Sequence, residues 1–193
     1  ACGRLPSPKG RHMTDAFPTS AVLDGGLATQ LEAMGHDLSS SLWSASVLRI
    51  DPAAITAAHR SFFDAGAQVA TTATYQLTPD SLSRAGMPRA DFAPLLTLAV
   101  AAARQARDEH GSGWVVGSVG PYGASRADGS EYTGAYDLPR GEEGQAILRA
   151  HHRERLVALI EAGVDALAVE TLPTARELEA VVAELNSMGA TTP

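Results

Sequence analysis

Two carboxylates stand where short apolar runs end. Asp24 follows residues 21–23 and precedes two glycines, and Glu170 ends the apolar run 166–169. In a parallel β/α protein such residues lie at the carboxyl ends of strands, where barrel enzymes place functional groups. An unpaired buried charge is costly, so each acid needs a cationic or hydrogen-bonding partner. The chain has one lysine, Lys9, so we expect a substrate ammonium group to satisfy both acids.

Each acid also has a purely structural interpretation. The sequence Asp-Gly-Gly favours an Asx turn or a helix N-cap at Asp24. Glu170 could form an ion pair with an arginine from a neighbouring helix, or cap the helix that starts near Thr174. Two acids at the same mouth nevertheless favour a binding pocket. Both interpretations stay open at this point.

Other residues are candidates for the same pocket. The aromatic residues Trp43 and Tyr75 could line it, although simple packing explains each of them equally well. The segment 117–123 is rich in glycine but lacks the Lys-Ser/Thr of a phosphate-binding loop. Its glycines would instead let the backbone approach a ligand, and we predict that the loop from Gly120 to Tyr136 acts as a lid.

The histidines predict no metal site. None of the six has a His-Glu-x-x-His or other ligand spacing, and the single cysteine is Cys2. His59 falls on an apolar helix face, which predicts a core residue with satisfied ring nitrogens. His151 and His152 are predicted to lie on a solvated helix. A Gly-x-Ser-x-Gly nucleophile motif is absent from the sequence.

The elements that position these residues alternate between short apolar runs and helical patterns, which is typical of βα units. Four strands are predicted, at 21–23, 68–74, 114–119 and 166–170. Four helices are predicted. The first follows residue 52 and stops at Gly66, the second covers about 91–109, the third ends at 162–163, and the fourth includes 178–185. The helix-to-strand corner 64–69 is repeated at 161–166. We therefore predict an α/β fold, a parallel (β/α) barrel of the TIM type, with about four βα units present as a half-barrel.

The composition of the chain argues against two classes of protein, membrane-spanning and nucleic-acid-binding. The chain has 193 residues, 45% hydrophobic content and a net charge of −7, which predicts a soluble globular protein. Its apolar runs are too short to span a membrane, and its scattered arginines do not predict nucleic-acid binding. The single cysteine favours a cytoplasmic location. We interpret residues 1–13 as a tag or disordered tail, and 14–193 as the N-terminal portion of the barrel domain.

Several motifs, in order, resemble the homocysteine S-methyltransferases. They are Leu23 to Glu32, Leu42 to Ala45, the His59 helix ending in Ala65-Gly66-Ala67, Thr72 to Gln76, Gly117 to Gly123, and Glu170 to Pro173. The segment 127–132 resembles the branch that uses S-methylmethionine or S-adenosylmethionine. The resemblance implies a role in methionine biosynthesis, in which a zinc-bound homocysteine thiolate attacks a methyl group on a sulfonium.

The resemblance also implies roles for individual residues. Asp24 and Glu170 match positions that hold the ammonium end of homocysteine, with Trp43 and the Gly25 backbone nearby. The zinc ligands of the family are cysteines of the second half of the barrel, and this chain has no counterpart of them. We therefore expect a truncated methyltransferase that is inactive alone. The alternatives are a non-metal amino-acid-binding β/α protein, or a half-barrel that pairs its open strand edges with a second copy or a C-terminal half.

Overall fold

The structure, a computed structural model, describes residues 17–38, 44–190 and 192. The predicted tail and Trp43 lie outside these described residues. A parallel sheet with strand order β1-β2-β3 forms the centre of the fold. Its strands are β1 (Val69–Thr71), β2 (Trp114–Val119) and β3 (Ala166–Val169). The helices are α1 (Leu27–Ala33), α2 (Ser44–Ile50), α3 (Pro52–Asp64), α4 (Pro79–Arg84), α5 (Phe92–His110), α6 (Ser130–Thr133), α7 (Glu142–Glu161) and α8 (Ala175–Ser187).

The predicted first strand is the main departure from expectation. It is reduced to one parallel bridge between Leu23 and Val69. Before the bridge, the Gln68 backbone N–H donates to Val22 O at 2.8 Å, and Val22 N–H donates to the Gln68 side chain at 3.0 Å. A side-chain oxygen thus replaces a main-chain partner, and regular pairing stops. The α/β class with a parallel sheet is confirmed, whereas a four-stranded half-barrel is not.

The predicted second strand is shorter than expected because side chains take over its pairing. β1 ends at Thr71, and the Ser118 N–H of β2 is accepted by the Thr72 hydroxyl at 3.1 Å. The chain then turns, with Thr74 N–H donating to Thr72 O at 2.7 Å. The same threonines shape the candidate site described below.

The long helices follow their sequence signals. Asp51 caps α3 by accepting from Ala54 N–H at 3.2 Å, and Pro52 fills the first turn. The helix stops before Gly66, whose φ of +104° is in the left-handed region. α3 packs against α5, and α7 packs against α8. On α8 Val181 is fully buried, whereas Leu178 is 48% exposed. No helix in the described ranges is long and apolar enough to cross a membrane.

Candidate functional site at the carboxyl edge of the sheet

Asp24 and Glu170 lie at the same edge of the sheet. Asp24 follows the Leu23 bridge and Glu170 directly follows β3, so both stand where parallel strands end. β1 and β2 lie between them, which corresponds to three strand spacings of about 4.8 Å each. A sheet that curves as in a β/α barrel shortens that distance. The acids therefore flank the carboxyl edge, with the ends of β1 and β2 between them.

Asp24 is fixed by the neighbouring strand. Its Oδ2 accepts from the Thr71 backbone N–H at 2.7 Å, and its Oδ1 accepts from the Thr71 hydroxyl at 2.7 Å. The side chain is 4% exposed, with Nδ1 of His59 at 3.7 Å from Oδ2. Helix α1 has Gly26 at its N-cap and no side-chain cap. The helix-cap interpretation of Asp24 is therefore wrong, because the carboxylate binds across to β1.

A network of three hydroxyls holds Glu170. We call Thr72, Thr74 and Ser118 the hydroxyl network. The Ser118 hydroxyl donates to Glu170 Oε1 at 2.5 Å, and Ser118 O accepts from the Thr74 hydroxyl at 2.8 Å. The two threonine hydroxyls lie 2.7 Å apart. Glu170 does not cap α8, since the Thr174 hydroxyl accepts from Glu177 N–H there at 3.3 Å.

A buried arginine lies behind the same edge. Arg155 of α7 is 1% exposed, and its guanidinium donates to Tyr75 O at 2.8 Å and to Gly120 O at 2.5 Å. Burial lowers the pKa of Arg155 to about 10, and the charges of Glu177 and Glu170 oppose that effect. Glu170 makes no ion pair with an arginine within the part of the chain that the structure describes. A helix arginine therefore lies near Glu170, as one interpretation predicted, but it affects Glu170 only through its charge. Its hydrogen bonds hold the loops after β1 and β2.

Tyr75 lies in the turn after β1, and its role as a pocket residue stays a prediction. Its ring packs so closely on Gly120 that a Cβ there would lie 2.6 Å from ring atom Cδ2. Burial raises the pKa of the Tyr75 phenol to about 12; a hydrogen bond with Thr171 opposes the shift, and the charge of Glu131 adds to it. The phenol is consequently protonated at neutral pH. It can donate a hydrogen bond to a ligand.

Gly25 is exposed next to Asp24. A Cβ at this position would lie 2.7 Å from the Phe62 ring atom Cε1, so the close approach of α3 requires glycine here. Phe62 therefore covers one side of Gly25, while the residue stays exposed to solvent.

Reasoning from sequence missed a buried cluster that we call the charge cluster: His152, Arg155 and Glu177. His152 and Glu177 are both 0% exposed, and His152 Nε2 lies 2.9 Å from Glu177 Oε1. Arg155 donates to His152 Nδ1 at 3.2 Å. The prediction of a solvated His151 and His152 is wrong, since the His151 side chain is also only 4% exposed. A signal for the charge cluster was present in the sequence. His152 and Arg155 have the helical spacing of the buried residues Leu148, Leu156 and Leu159, which places all five on one face of α7.

A sequence model described as homocysteine S-methyltransferase matches residues 21–192. The chain belongs to the homocysteine S-methyltransferase family. It is 42% identical over 182 residues to the homocysteine S-methyltransferase YbgG of Bacillus subtilis, covering 89% of this chain and 56% of that relative. It is 46% identical over 167 residues to the Escherichia coli homocysteine S-methyltransferase, covering 83% and 52%. The chain thus spans about half the length of the curated relatives it matches.

A solved structure of the family has the same fold over most of this chain. The metallated form of the homocysteine methyltransferase MmuM from Escherichia coli matches with a TM-score of 0.80 and 43% identity. The match covers 88% of this chain and 59% of that one. The parallel sheet and its surrounding helices are therefore a portion of the methyltransferase fold.

The family resemblance implies zinc, which needs several side chains that can bind a metal ion. Within residues 17–38, 44–190 and 192, no group of three or more His, Cys, Asp or Glu side chains could hold a metal ion. Thiolate ligands would have to come from Cys2, the single cysteine, which lies outside the described residues. The described residues of this family member do not fit zinc, so we assign it no ligand among them.

The loop predicted as a lid is tied down in this family member. Glu177 accepts from Tyr122 N–H at 2.5 Å and from the Tyr136 hydroxyl at 2.7 Å. Burial raises the pKa of the Glu177 carboxyl, but the hydrogen bonds from His152, Tyr136 and Tyr122 outweigh it and lower the pKa overall. Both ends of the loop 120–136 are thus fixed to α8 through one carboxylate.

Proposed function

We propose that this chain is the amino-acid-binding portion of a homocysteine S-methyltransferase that transfers a methyl group from a sulfonium donor, such as S-methylmethionine, to homocysteine. Membership of the family supports this assignment. The observation that carries it is the pair of carboxylates at the carboxyl edge, Asp24 and Glu170, whose hydrogen bonds come from uncharged donors. The negative charge of that edge matches the ammonium group of an amino acid.

The geometry suggests how the acids act. Hydroxyl and amide donors fix both carboxylates without neutralising them, so the charge stays available to a ligand. Glu170 Oε1 accepts from Ser118, and Oε2 has no hydrogen bond from the described residues. The Tyr75 phenol is a nearby donor for the ligand carboxylate. The described residues would therefore bind and orient homocysteine; activation of its thiol is not assigned to them, because they do not fit a metal.

Isothermal titration of the chain with homocysteine tests this proposal. A hydrogen bond to a charged group contributes about 1.5–3 kcal/mol, so Asp24→Asn and Glu170→Gln should each weaken binding by about 10- to 150-fold. Glu179→Gln, an exposed acid on α8, is the matched control and should bind as the wild type does. N-acetylhomocysteine, which lacks the ammonium charge, should bind equally weakly to all variants. Unchanged homocysteine affinity in both acid variants would remove the pocket assignment.

We include in the proposal that this chain alone does not form methionine from zinc, homocysteine and S-methylmethionine. We expect no activity because Cys2 is the single cysteine of this chain that could provide a thiolate ligand for zinc. Methionine formation at an enzyme-like rate would contradict it. A cytoplasmic location, expected from the low cysteine content, is part of the same proposal.

Association through open sheet edges is a second candidate role. Val22 and Leu23, beside the sheet, are 59% and 64% exposed, and Val182 on α8 is 47% exposed. Exposed apolar side chains next to unpaired strand edges favour pairing with a second copy or a C-terminal half. Light scattering that shows a stable monomer with a sharp unfolding transition would argue against self-association.

A further inference from the structure

Glu131 is a buried acid for which the proposed amino-acid site has no use. It lies on the short helix α6, within the loop 120–136 that follows β2, and is 5% exposed. Its Oε2 atom is buried without a hydrogen-bond partner. A carboxylate in this situation is costly unless a positive group compensates it.

Close backbone packing fixes where Glu131 lies. Gly123 packs against the backbone of Ser130 and Glu131, where a Cβ would lie 2.6 Å from the Ser130 carbonyl carbon. Three residues earlier, Gly120 packs against the ring of Tyr75. The segment 120–123 thus packs on Tyr75 at one end and on Glu131 at the other, and the charge of Glu131 helps to raise the pKa of the Tyr75 phenol.

None of the residues that the structure describes supplies the missing cation. Within the described part of the chain, no arginine or histidine forms an ion pair with Glu131. Arg155 directs its donors to Tyr75 O and Gly120 O, and Arg126 pairs with Asp128 at 2.9 Å. A bound molecule is therefore a candidate source of the positive charge.

We propose that Glu131 is the counter-ion for the sulfonium group of the methyl donor, an assignment that rests on the proposed function. A sulfonium has no N–H group, so it is held by charge and by aromatic faces and not by directed hydrogen bonds. A buried carboxylate oxygen without a donor partner, in a segment that also packs on the Tyr75 ring, suits that chemistry. Asp24 and Glu170, in contrast, already accept hydrogen bonds, and an ammonium group would add further donors to them.

The assignment makes Glu131 a specificity-determining residue. S-methylmethionine and methionine share the amino-acid end and differ by one methyl group and the positive charge on sulfur. Glu131 should favour the charged donor and release its uncharged product. The ratio of the two affinities therefore reports on Glu131, separately from recognition of the amino-acid end.

Isothermal titration of the chain with S-methylmethionine and with methionine measures this ratio. In the wild type S-methylmethionine should bind about tenfold more tightly or better, and Glu131→Gln should abolish that preference while methionine affinity stays the same. Glu131→Asp, which keeps the charge, should retain part of the preference. Glu179→Gln is the control and should leave the ratio unchanged. Urea unfolding of each variant verifies that it is folded.

Three results would overturn the assignment. The first is a wild-type chain without preference for S-methylmethionine, a result that does not depend on how any variant folds. The second is a ratio unchanged by Glu131→Gln. The third is that Glu131→Gln weakens the binding of methionine, homocysteine and S-methylmethionine equally, which would mean that Glu131 binds the ammonium group. In all three cases the proposed function would still hold if homocysteine binding depends on Asp24. Homocysteine binding that does not depend on Asp24 would count against the proposed function separately.

Discussion

Protonation of His152 provides a quantitative test of the charge cluster. The ring is 0% exposed, and burial lowers its pKa from 6.5 to about 4. A guanidinium only donates, so Nδ1 of His152 accepts from Arg155, and Nε2 carries the hydrogen donated to Glu177. A second proton on Nδ1 would face the Arg155 cation directly. The folded state therefore prefers the neutral ring.

The sign and size of the effect follow from linkage. Between pH 6.5 and pH 4 the unfolded chain binds a proton at His152 that the folded chain does not, so stability falls as the pH falls. Each pH unit in this window corresponds to about 1.4 kcal/mol, which gives a total of about 3 kcal/mol for this residue. The contribution is fully present above pH 6.5. It is a large part of the 5–15 kcal/mol that is typical of a folded domain.

The variant His152→Gln isolates the contribution. A glutamine side chain offers one acceptor and one donor, as the neutral ring does, but it does not titrate. We expect a loss of about 1–2 kcal/mol at pH 7.5 from poorer packing. Between pH 6.5 and pH 4 the free energy of unfolding should then decrease less steeply than in the wild type. Urea titrations followed by circular dichroism at half-unit pH intervals measure both quantities.

The matched control is His36→Gln, at a half-buried histidine in the turn after α1. It removes a histidine outside the charge cluster and so controls for the loss of one imidazole ring. If His152→Gln and the wild type lose stability in parallel between pH 6.5 and pH 4, His152 does not stay neutral in the folded protein. The tautomer and the role of Arg155 argued above would then be wrong.

Two further substitutions test the supports of the site. Thr71→Val removes the hydroxyl that donates to Asp24 Oδ1 at 2.7 Å and should lower the free energy of unfolding by about 2 kcal/mol; the exposed Thr97→Val is the control, and equal values for both would contradict the Asp24 anchor. Gly123→Ala would place a Cβ 2.6 Å from the Ser130 carbonyl carbon and should destabilise the chain by about 2 kcal/mol or more, so a urea midpoint equal to that of the wild type would show that the loop packs differently.

The elements that could be predicted from sequence are those with a long or repeated signal. β2 was predicted at its observed bounds, because a short apolar run lies between glycines. α5 covers 19 residues, enough for several repeats of the apolar spacing. The helix-to-strand corner could be predicted because Ala65-Gly66 is repeated as Ala162-Gly163, and both glycines adopt positive φ in the structure.

Short elements escaped the same reasoning for a physical reason. α1 has seven residues and α4 has six, fewer than two full turns, so neither shows a repeating face. α4 did carry a local signal, since Thr78 and Ser81 cap it reciprocally. That pair lacks the Glu or Gln by which a capping box is usually found in a sequence.

The acids of the site could be located from sequence, but their partners could not. Asp24 was found because it ends an apolar run, whereas its partner Thr71 is 47 residues away. Ser118 and Glu170 are 52 residues apart. Such pairs depend on strand order and register, which no local pattern contains. Glu131 was overlooked since its burial results from the packing of a loop against Gly123.

The choice of hydroxyls over arginines as partners explains how the carboxyl edge can be both ordered and charged. An arginine paired with Glu170 would fix its position but cancel the charge that attracts a cation. A serine hydroxyl fixes the rotamer through a 2.5 Å hydrogen bond and adds no net charge. Arg155 reaches the same region, yet it donates to the Tyr75 and Gly120 carbonyl oxygens and thereby orders the loops. Orientation and charge are thus supplied by different groups, and no arginine of the described residues pairs with Asp24 or Glu170.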